Sequence, residues 1–243
     1  MGGVREGLSG GEPPPRILAV DTATRSCSVA VTESEGVLAE MTVVRRQTHS
    51  RHLMEMIHAV LSAAGLGVGD LDALAVTRGP GSFTGLRIGI STVKGLALAA
   101  CKPLIGISTL EALAAGLCFS SDPICPVLDA RKGEVYIARY RYAGGKLTQE
   151  KTARALSPDA AVSGIASPHL FVGNGALLYR EQITARLGEL ARFAAPAHHI
   201  IRAEMVARLA RVRLIRGEAD PLATFAPRYI RKSDAELSFG RKP

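Results

Sequence analysis

The run from Arg78 to Gly89, RGPGSFTGLRIG, constrains the fold more than any other part of the chain. The apolar residues 74–77 before it predict a buried strand, and the pattern after it predicts a helix over about 85–100. Ser82 and Thr84 are suitable caps for the start of this helix. The run therefore predicts a tight strand-to-helix turn that depends on the backbone freedom of its glycines. Such a turn can bind an anion at the helix start, and a turn with no ligand fits the pattern equally well.

Alternation of apolar residues and turn residues divides the rest of the chain into further elements. Strands are predicted at 16–21, 26–33, 36–44, 71–77, 104–106, 124–128, 134–142 and 170–172, and helices at 50–64, 108–117, 176–187 and 203–216. Ser50 is a predicted N-cap, and Ser108 with Glu111 forms a capping-box pattern. The predicted apolar stripe of the last helix consists of Met205, Leu209, Val212 and Ile215. The sequence leaves open on which half of the molecule this helix packs.

Composition excludes several classes of protein. Apolar residues make up 47% of the chain, yet no run of about 20 uncharged apolar residues predicts a membrane span. The first fifteen residues contain five glycines and three consecutive prolines, which predicts a disordered tail and no secretory signal. Four cysteines occur without a Cys-x-x-Cys pair, so we expect reduced thiols and a cytoplasmic location. Of these, Cys27 and Cys101 are expected to pack as small apolar side chains.

The net charge of +8 comes largely from the last fifth of the chain. The basic residues there are Arg202, Arg208, Arg211, Arg213, Arg216, Arg228, Arg231, Lys232, Arg241 and Lys242. One interpretation is a solvated arginine face followed by a charged tail. The other is a surface that follows the phosphates of a tRNA. No aromatic residues are interleaved with the helical arginines, so base stacking is not indicated.

The run Arg78–Gly89, continued by KGLA at 94–97, resembles the signature of the bacterial TsaB family of tRNA threonylcarbamoyladenosine biosynthesis proteins, also called YeaZ. Further matches follow in the right order. They are LAVDTAT at 18–24, HS at 49–50, GISTLEALA at 106–114, LDARKGEVY at 128–136, GNG at 173–175 and PRYIR at 227–231. Together the matches extend over nearly the whole chain.

The resemblance implies a two-lobed actin-like α/β fold (ASKHA, ribonuclease-H-like) with a reduced second lobe. Asp21-Thr-Ala and Asp129-Ala-Arg both end a strand in an acidic turn, which is what a duplicated fold of this kind would show. With the composition, this predicts four segments. They are a disordered tail at 1–15, a partner-binding first lobe at 16–107, a reduced second lobe at 108–225 and a basic C-terminal tail at 226–243.

The resemblance also implies a non-catalytic role in which the chain supports a TsaD-type transferase. That paralogue holds nucleotide and metal, a TsaE-type ATPase joins the pair, and tRNA is contacted through the complex. No cofactor or metal is expected on this chain, and the isolated chain is a candidate homodimer. The partner surface is expected on the helices at 50–64 and 85–100. Its candidate residues are His49, Leu53, Met54, Ile57, Gly85, Arg87, Ile88, Gly89, Ser91, Thr92 and Gly95. The alternative for the glycines is packing within the first lobe.

Two turns correspond to the phosphate hairpins of active relatives, and both depart from the pattern. Their residues here are Asp21 and Thr22 in the first lobe and Asp129 and Arg131 in the second. Ala23 in the first turn, and Arg131 with Lys132 in the second, stand where glycine would let backbone amides approach a phosphate, which argues against ATP binding. Both aspartates can equally be turn caps at strand ends.

Two enzymatic alternatives remain open from the sequence. One is a small-molecule kinase or ATPase that uses the cleft around Asp21 and Asp129. The other is a metallopeptidase based on His49 and His52, although metal-binding histidine pairs usually have a four-residue step with a glutamate between them. His49 also suits a helix cap or an interface hydrogen bond. The pair His198-His199 lies in a proline- and alanine-rich loop and is interpreted as incidental.

Overall fold

A computed structural model of the chain describes residues 14–44 and 52–231. The strands are β1 Arg16–Asp21, β2 Ser26–Glu33, β3 Gly36–Val44, β4 Ala73–Gly79, β5 Leu104–Ser108, β6 Ile124–Arg131, β7 Glu134–Ala143, β8 Lys146–Leu156, β9 His169–Val172 and β10 Ala191–Phe193. The helices are α1 Leu53–Ala63, α2 Phe83–Ala99, α3 Thr109–Ala115, α4 Pro158–Ala161, α5 Asn174–Leu178, α6 Arg180–Leu187 and α7 Ala203–Ile215. No helix of the described ranges combines the length and the apolar character that crossing a bilayer requires.

The strands form two five-stranded sheets with the same internal order, β3-β2-β1-β4-β5 and β8-β7-β6-β9-β10. In each sheet the first three strands in the chain are antiparallel and the last two pair in parallel. This repeat is the duplicated two-lobed actin-like α/β fold. The second lobe has the same number of strands in its sheet as the first. It is reduced in the length of its elements, since β9, β10, α4 and α5 each have five residues or fewer.

Alternation along the strands of the first sheet sorts their side chains onto two covered faces. Leu18 and Val20 belong to the cluster that α1 and α2 cover, while Ile17 and Ala19 belong to the cluster on the opposite face. Helix α7 packs on this second face and contacts β1, β2, β4 and β5. The last helix therefore packs on the first sheet, although it comes late in the chain.

The predicted apolar stripe of α7 is wrong for Val212 and Ile215, whereas Leu209 packs against the core at its edge. The buried residues of this helix are Ala203, Val206, Ala207 and Ala210. Val212 and Ile215 are instead 42% and 66% exposed. The sheet face beneath is lined by small side chains such as Ala19, Ala30, Ala73 and Ala75. A helix can approach such a face closely only with small residues, so the alanine side of α7 is the one that is buried.

The arginine that precedes α7 and the arginines within it bind other parts of the protein. Side chains of Arg202 and Arg211 form ion pairs with Glu40 and Glu35 at the first sheet. Arg208 donates to the Tyr142 hydroxyl of the second sheet at 2.9 Å. These three side chains therefore serve as intramolecular contacts, and neither a fully solvated face nor a phosphate-tracking surface describes them.

The predicted strands and helices occur in the structure, several with different end residues, and some elements of the structure were not predicted. Ser82 and Ser108 cap α2 and α3 as predicted. Helix α1 begins at Leu53, and the predicted cap Ser50 lies outside the described residues. The predicted helix at 176–187 is divided into α5 and α6, and β8, β10 and α4 were not predicted. Cys27 is buried as expected, whereas Cys101 is exposed at the end of α2.

Candidate functional site

The loop between β4 and α2 packs onto the turn that follows β1. The Ser82 N–H donates to the carbonyl of Ala23 at 2.7 Å, and the Ser82 hydroxyl accepts from Gly85 N–H at 3.2 Å. A β-carbon at Gly81 would lie 2.5 Å from the Ala23 carbonyl oxygen. Only glycine permits this approach, so the signature loop covers the first hairpin directly.

Helix α2 then passes over Thr22. The Thr22 hydroxyl donates to the carbonyl of Gly85 at 2.8 Å. A β-carbon at Gly85 would collide with the Thr22 carbonyl, and one at Gly89 would collide with the Thr22 hydroxyl. Both glycines are buried. The prediction that Gly85 and Gly89 admit a partner helix is therefore wrong, and packing within the first lobe explains them.

The carboxyl of Asp21, at the end of β1, is fully buried. Its Oδ1 accepts from the Thr77 hydroxyl at 2.7 Å and from Ala23 N–H at 3.2 Å. Its Oδ2 has no hydrogen-bond partner among the described residues. Burial raises the pKa of this carboxyl to about 7, against the two hydrogen bonds that lower it. Asp21 therefore holds the β1 turn against β4 and offers no exposed carboxylate to a nucleotide.

Replacing Asp21 by asparagine is expected to change how stability depends on pH. Because the folded pKa is raised to about 7, the native state binds a proton more tightly than the unfolded chain does. The wild type is then most favoured below the unfolded pKa of about 3.9 and loses stability as the pH rises towards 7. Urea unfolding should show the wild type losing up to about 1.4 kcal/mol per pH unit relative to Asp21→Asn in this window. Parallel profiles for the two proteins would show that Asp21 titrates normally.

The turn after β6 is closed by hydrogen bonds of its own. Asp129 Oδ1 accepts from Arg131 N–H at 2.8 Å, and Asn174 Oδ1 accepts from Asp129 N–H at 3.3 Å. Arg131 and Lys132 adopt left-handed φ values of 64° and 54°. A β-carbon on Gly175 would collide with the backbone of Leu128 and Asp129. The second hairpin thus packs against the Gly173-Asn-Gly turn, and Asn174 is a contact that the sequence analysis missed.

The residues predicted for the partner surface divide into a buried and an exposed set. Leu53 and Ile57 are 1% and 2% exposed and belong to the core under α1, so the prediction that they contact a partner is wrong. The exposed or half-buried members are Met54, Arg87, Ile88, Ser91, Thr92 and Gly95. His49 lies outside the described residues. Because α1 and α2 cover the same face of the first sheet, the exposed members share one side of the molecule. We call them the α1/α2 face.

Two large apolar side chains of α2 that the sequence analysis did not select extend this face. Phe83 is 38% exposed and Leu98 is 69% exposed. The guanidinium of Arg87 lies 3.8 Å from the ring centroid of Phe83. Phe83 belongs to the signature run, and this membership could have identified it as a candidate surface residue from the sequence. Exposed apolar side chains are typical of a protein–protein contact surface where they form a contiguous patch.

Of the two histidines predicted as a possible metal pair, His49 lies outside the described residues and His52 pairs with a carboxylate of its own helix. His52 Nδ1 lies 3.1 Å from Glu55 Oε2 on the surface of α1. Within residues 14–44 and 52–231, no group of three or more His, Cys, Asp or Glu side chains could hold a metal ion. His199 is buried, with Nδ1 accepting from Gly173 N–H at 3.0 Å and Nε2 2.9 Å from the Ala194 carbonyl. The interpretation of His199 as incidental is therefore wrong, since it fixes the turn that packs on Asp129.

Comparison with known proteins gives consistent matches. The family model described as TsaD, tRNA N6-adenosine threonylcarbamoyltransferase, matches residues 30–239. The tRNA threonylcarbamoyladenosine biosynthesis protein TsaB of Bacillus subtilis is 31% identical over 92% of this chain and 97% of its own length. The TsaB of Escherichia coli is 43% identical over 59% of this chain, which spans 63% of that relative. The solved structure of YeaZ from Pseudomonas aeruginosa superposes with a TM-score of 0.78 at 32% identity, covering 88% of this chain and 99% of that one.

Proposed function

Because the chain belongs to the TsaB family of tRNA threonylcarbamoyladenosine biosynthesis proteins, we propose that it is a non-catalytic subunit in the synthesis of that nucleoside. In this role it binds and supports a TsaD-type transferase, which carries the nucleotide and the metal. A TsaE-type ATPase joins the pair, and tRNA is bound through the complex. The place of action is the cytoplasm, which suits a chain whose four cysteines are all free thiols.

The observation that carries the proposal is the closed first hairpin. A working phosphate hairpin needs backbone N–H groups that a phosphate can reach. Here Ala23 is 1% exposed and lies beneath Gly81, and Asp21 is fully buried. At the second hairpin, Asp129 binds its own turn. These contacts favour the role of a non-catalytic subunit. They give no basis for the alternative of an actin-like kinase.

The proposed partner surface is the α1/α2 face with Phe83 and Leu98. The match of a TsaD model to residues 30–239 supports a partner with the same fold. Two chains of one fold can pair through equivalent helices, so the same face can also pair with its own copy when the transferase is absent. We therefore propose a homodimer for the isolated chain.

We expect the purified chain to show only background turnover of ATP in the presence of magnesium. The reason is the absence of reachable phosphate-binding amides at Ala23, where Gly81 occupies the space. A steady-state phosphate-release assay tests this, with Asp21→Ala as the matched control at the same purity. Turnover of about 1 per second or faster, the usual enzyme range, that is lost in Asp21→Ala would contradict the proposal.

A further inference from the structure

The segment Asp220–Arg231, which we call the C-terminal strap, is anchored by one carboxylate. Asp220 Oδ2 accepts from Gly106 N–H at 2.8 Å and from Arg213 Nη1 at 3.1 Å. Its Oδ1 accepts from Arg78 Nη1 at 3.1 Å. The Asp220 N–H also donates to the carbonyl of Leu104 at 2.8 Å. One side chain thus joins the strap to β5, to α7 and to the first residue of the signature run.

The middle of the strap lies against the signature loop. Phe225 is 5% exposed, and its ring fills the space where a β-carbon on Gly106 would stand. The guanidinium of Arg78 lies 5.0 Å from the centroid of that ring. The Arg228 N–H donates to the Arg78 carbonyl at 2.6 Å, and Lys94 Nζ of α2 lies 3.4 Å from the Phe225 carbonyl. The strap therefore contacts the loop before α2 and the middle of α2 itself.

The end of the strap reaches the exposed start of α2. Tyr229 stacks on Phe83 with ring centroids 5.0 Å apart and an interplanar angle of 25°. Arg87 Nε donates to the Tyr229 hydroxyl at 3.2 Å. Two residues later, Arg231 pairs with Glu134 of the second sheet at 2.9 Å. Residues 226–231, which the sequence placed in a tail, thus connect the start of α2 to the second lobe.

We propose that the C-terminal strap is a latch that pre-orders the amino-terminal part of the α1/α2 face for its partner, with Tyr229 as the positioning residue. The inference rests on the proposed function, because the partner is the same TsaD-type transferase. An exposed phenylalanine and an arginine lose side-chain freedom when a partner binds, and this loss weakens binding. Tyr229 restrains both Phe83 and Arg87 beforehand. Since Tyr229 is itself 38% exposed, it also adds its ring to the contact surface.

The test compares Tyr229→Ala and Tyr229→Phe with Phe119→Ala, which removes an aromatic ring that is 69% exposed elsewhere. The dissociation constant for the purified TsaD-type subunit of the same organism is measured by calorimetry. Tyr229→Ala should raise it about tenfold, the ratio expected for a lost aromatic stack and its restraint on a cation–π pair. Tyr229→Phe keeps the stack and should stay within about threefold of the wild type. Phe119→Ala should bind like the wild type.

Hydrogen exchange of the isolated chain supplies a readout that does not need the partner. Residues 83–88 should exchange faster in Tyr229→Ala than in the wild type, with the melting temperature of the whole chain little changed. Unchanged exchange, wild-type affinity of Tyr229→Ala, or equal weakening by Phe119→Ala would each overturn the latch. If the wild type itself fails to bind the transferase, the proposed function is overturned, while the exchange measurement still decides whether the strap restrains α2.

Discussion

Replacing Gly85 by alanine is expected to lower the free energy of unfolding by about 2 kcal/mol, whereas Gly95→Ala should raise it slightly. Both glycines lie inside α2, where alanine is favoured by about 0.5–1 kcal/mol. At Gly85 the added methyl group would collide with the backbone carbonyl of Thr22, while at Gly95 no atom lies within 4 Å. Overpacking of a filled site costs about 1–3 kcal/mol, and a backbone obstacle cannot rotate away.

Gly89→Ala is expected to fall between these two variants. Its obstacle is the Thr22 hydroxyl, a side-chain atom that can change rotamer. Urea unfolding of the three variants gives the order directly. A Gly85→Ala protein as stable as Gly95→Ala would contradict the packing of α2 on the β1 turn. Because Gly89 is packed against Thr22, a large residue at this position would disturb the folding of the first lobe. It would not test the binding of a partner.

A negative charge on the α1/α2 face is expected to weaken binding to the transferase about 100-fold. Met54 is 50% exposed on α1, and Ser91 is exposed on α2. Met54→Asp or Ser91→Glu would bury an unpaired carboxylate in the complex, at a cost of about 3 kcal/mol. The free chain should keep its stability within about 0.5 kcal/mol, because the substituted side chains are at the surface.

The matched control for this prediction is Leu177→Asp, which places the same charge at a side chain that is 46% exposed on α5 of the second lobe. Calorimetry should give this variant the wild-type affinity. The opposite pattern, in which Leu177→Asp abolishes binding and Met54→Asp does not, would move the interface to the second lobe.

The first two strands were predicted because each is a short apolar run that is buried almost throughout, and α2 because its buried residues recur at helical spacing. No local sequence pattern shows which neighbouring atoms a helical glycine makes room for. Gly85 and Gly89 face Thr22, which is more than 60 residues away in the chain, so their role depends on tertiary packing. Strand β8 was missed because most of its residues are exposed, which leaves no apolar alternation to recognise.

The packing of helix α7 and of the C-terminal strap also depends on tertiary contacts that no local sequence pattern shows. The larger apolar residues of α7 suggested the buried side, but the alanine-lined sheet beneath selects the small residues instead. The strap has no periodic pattern, and its role depends on single contacts of Asp220, Phe225 and Tyr229 with distant residues. The burial of Asp21 against Thr77, and of Ala23 beneath Gly81, likewise depends on tertiary packing that the sequence does not show.

We propose above that this chain acts through its surface and not through chemistry in its own cleft. The most direct test is mass spectrometry of tRNA nucleosides from a strain depleted of the chain and rescued with variants. We expect Met54→Asp to fail to restore threonylcarbamoyladenosine. Asp129→Asn should restore most of it, because an asparagine oxygen can still accept from the Arg131 N–H. Full rescue by Met54→Asp together with failure of a folded Asp129→Asn protein would contradict the proposal.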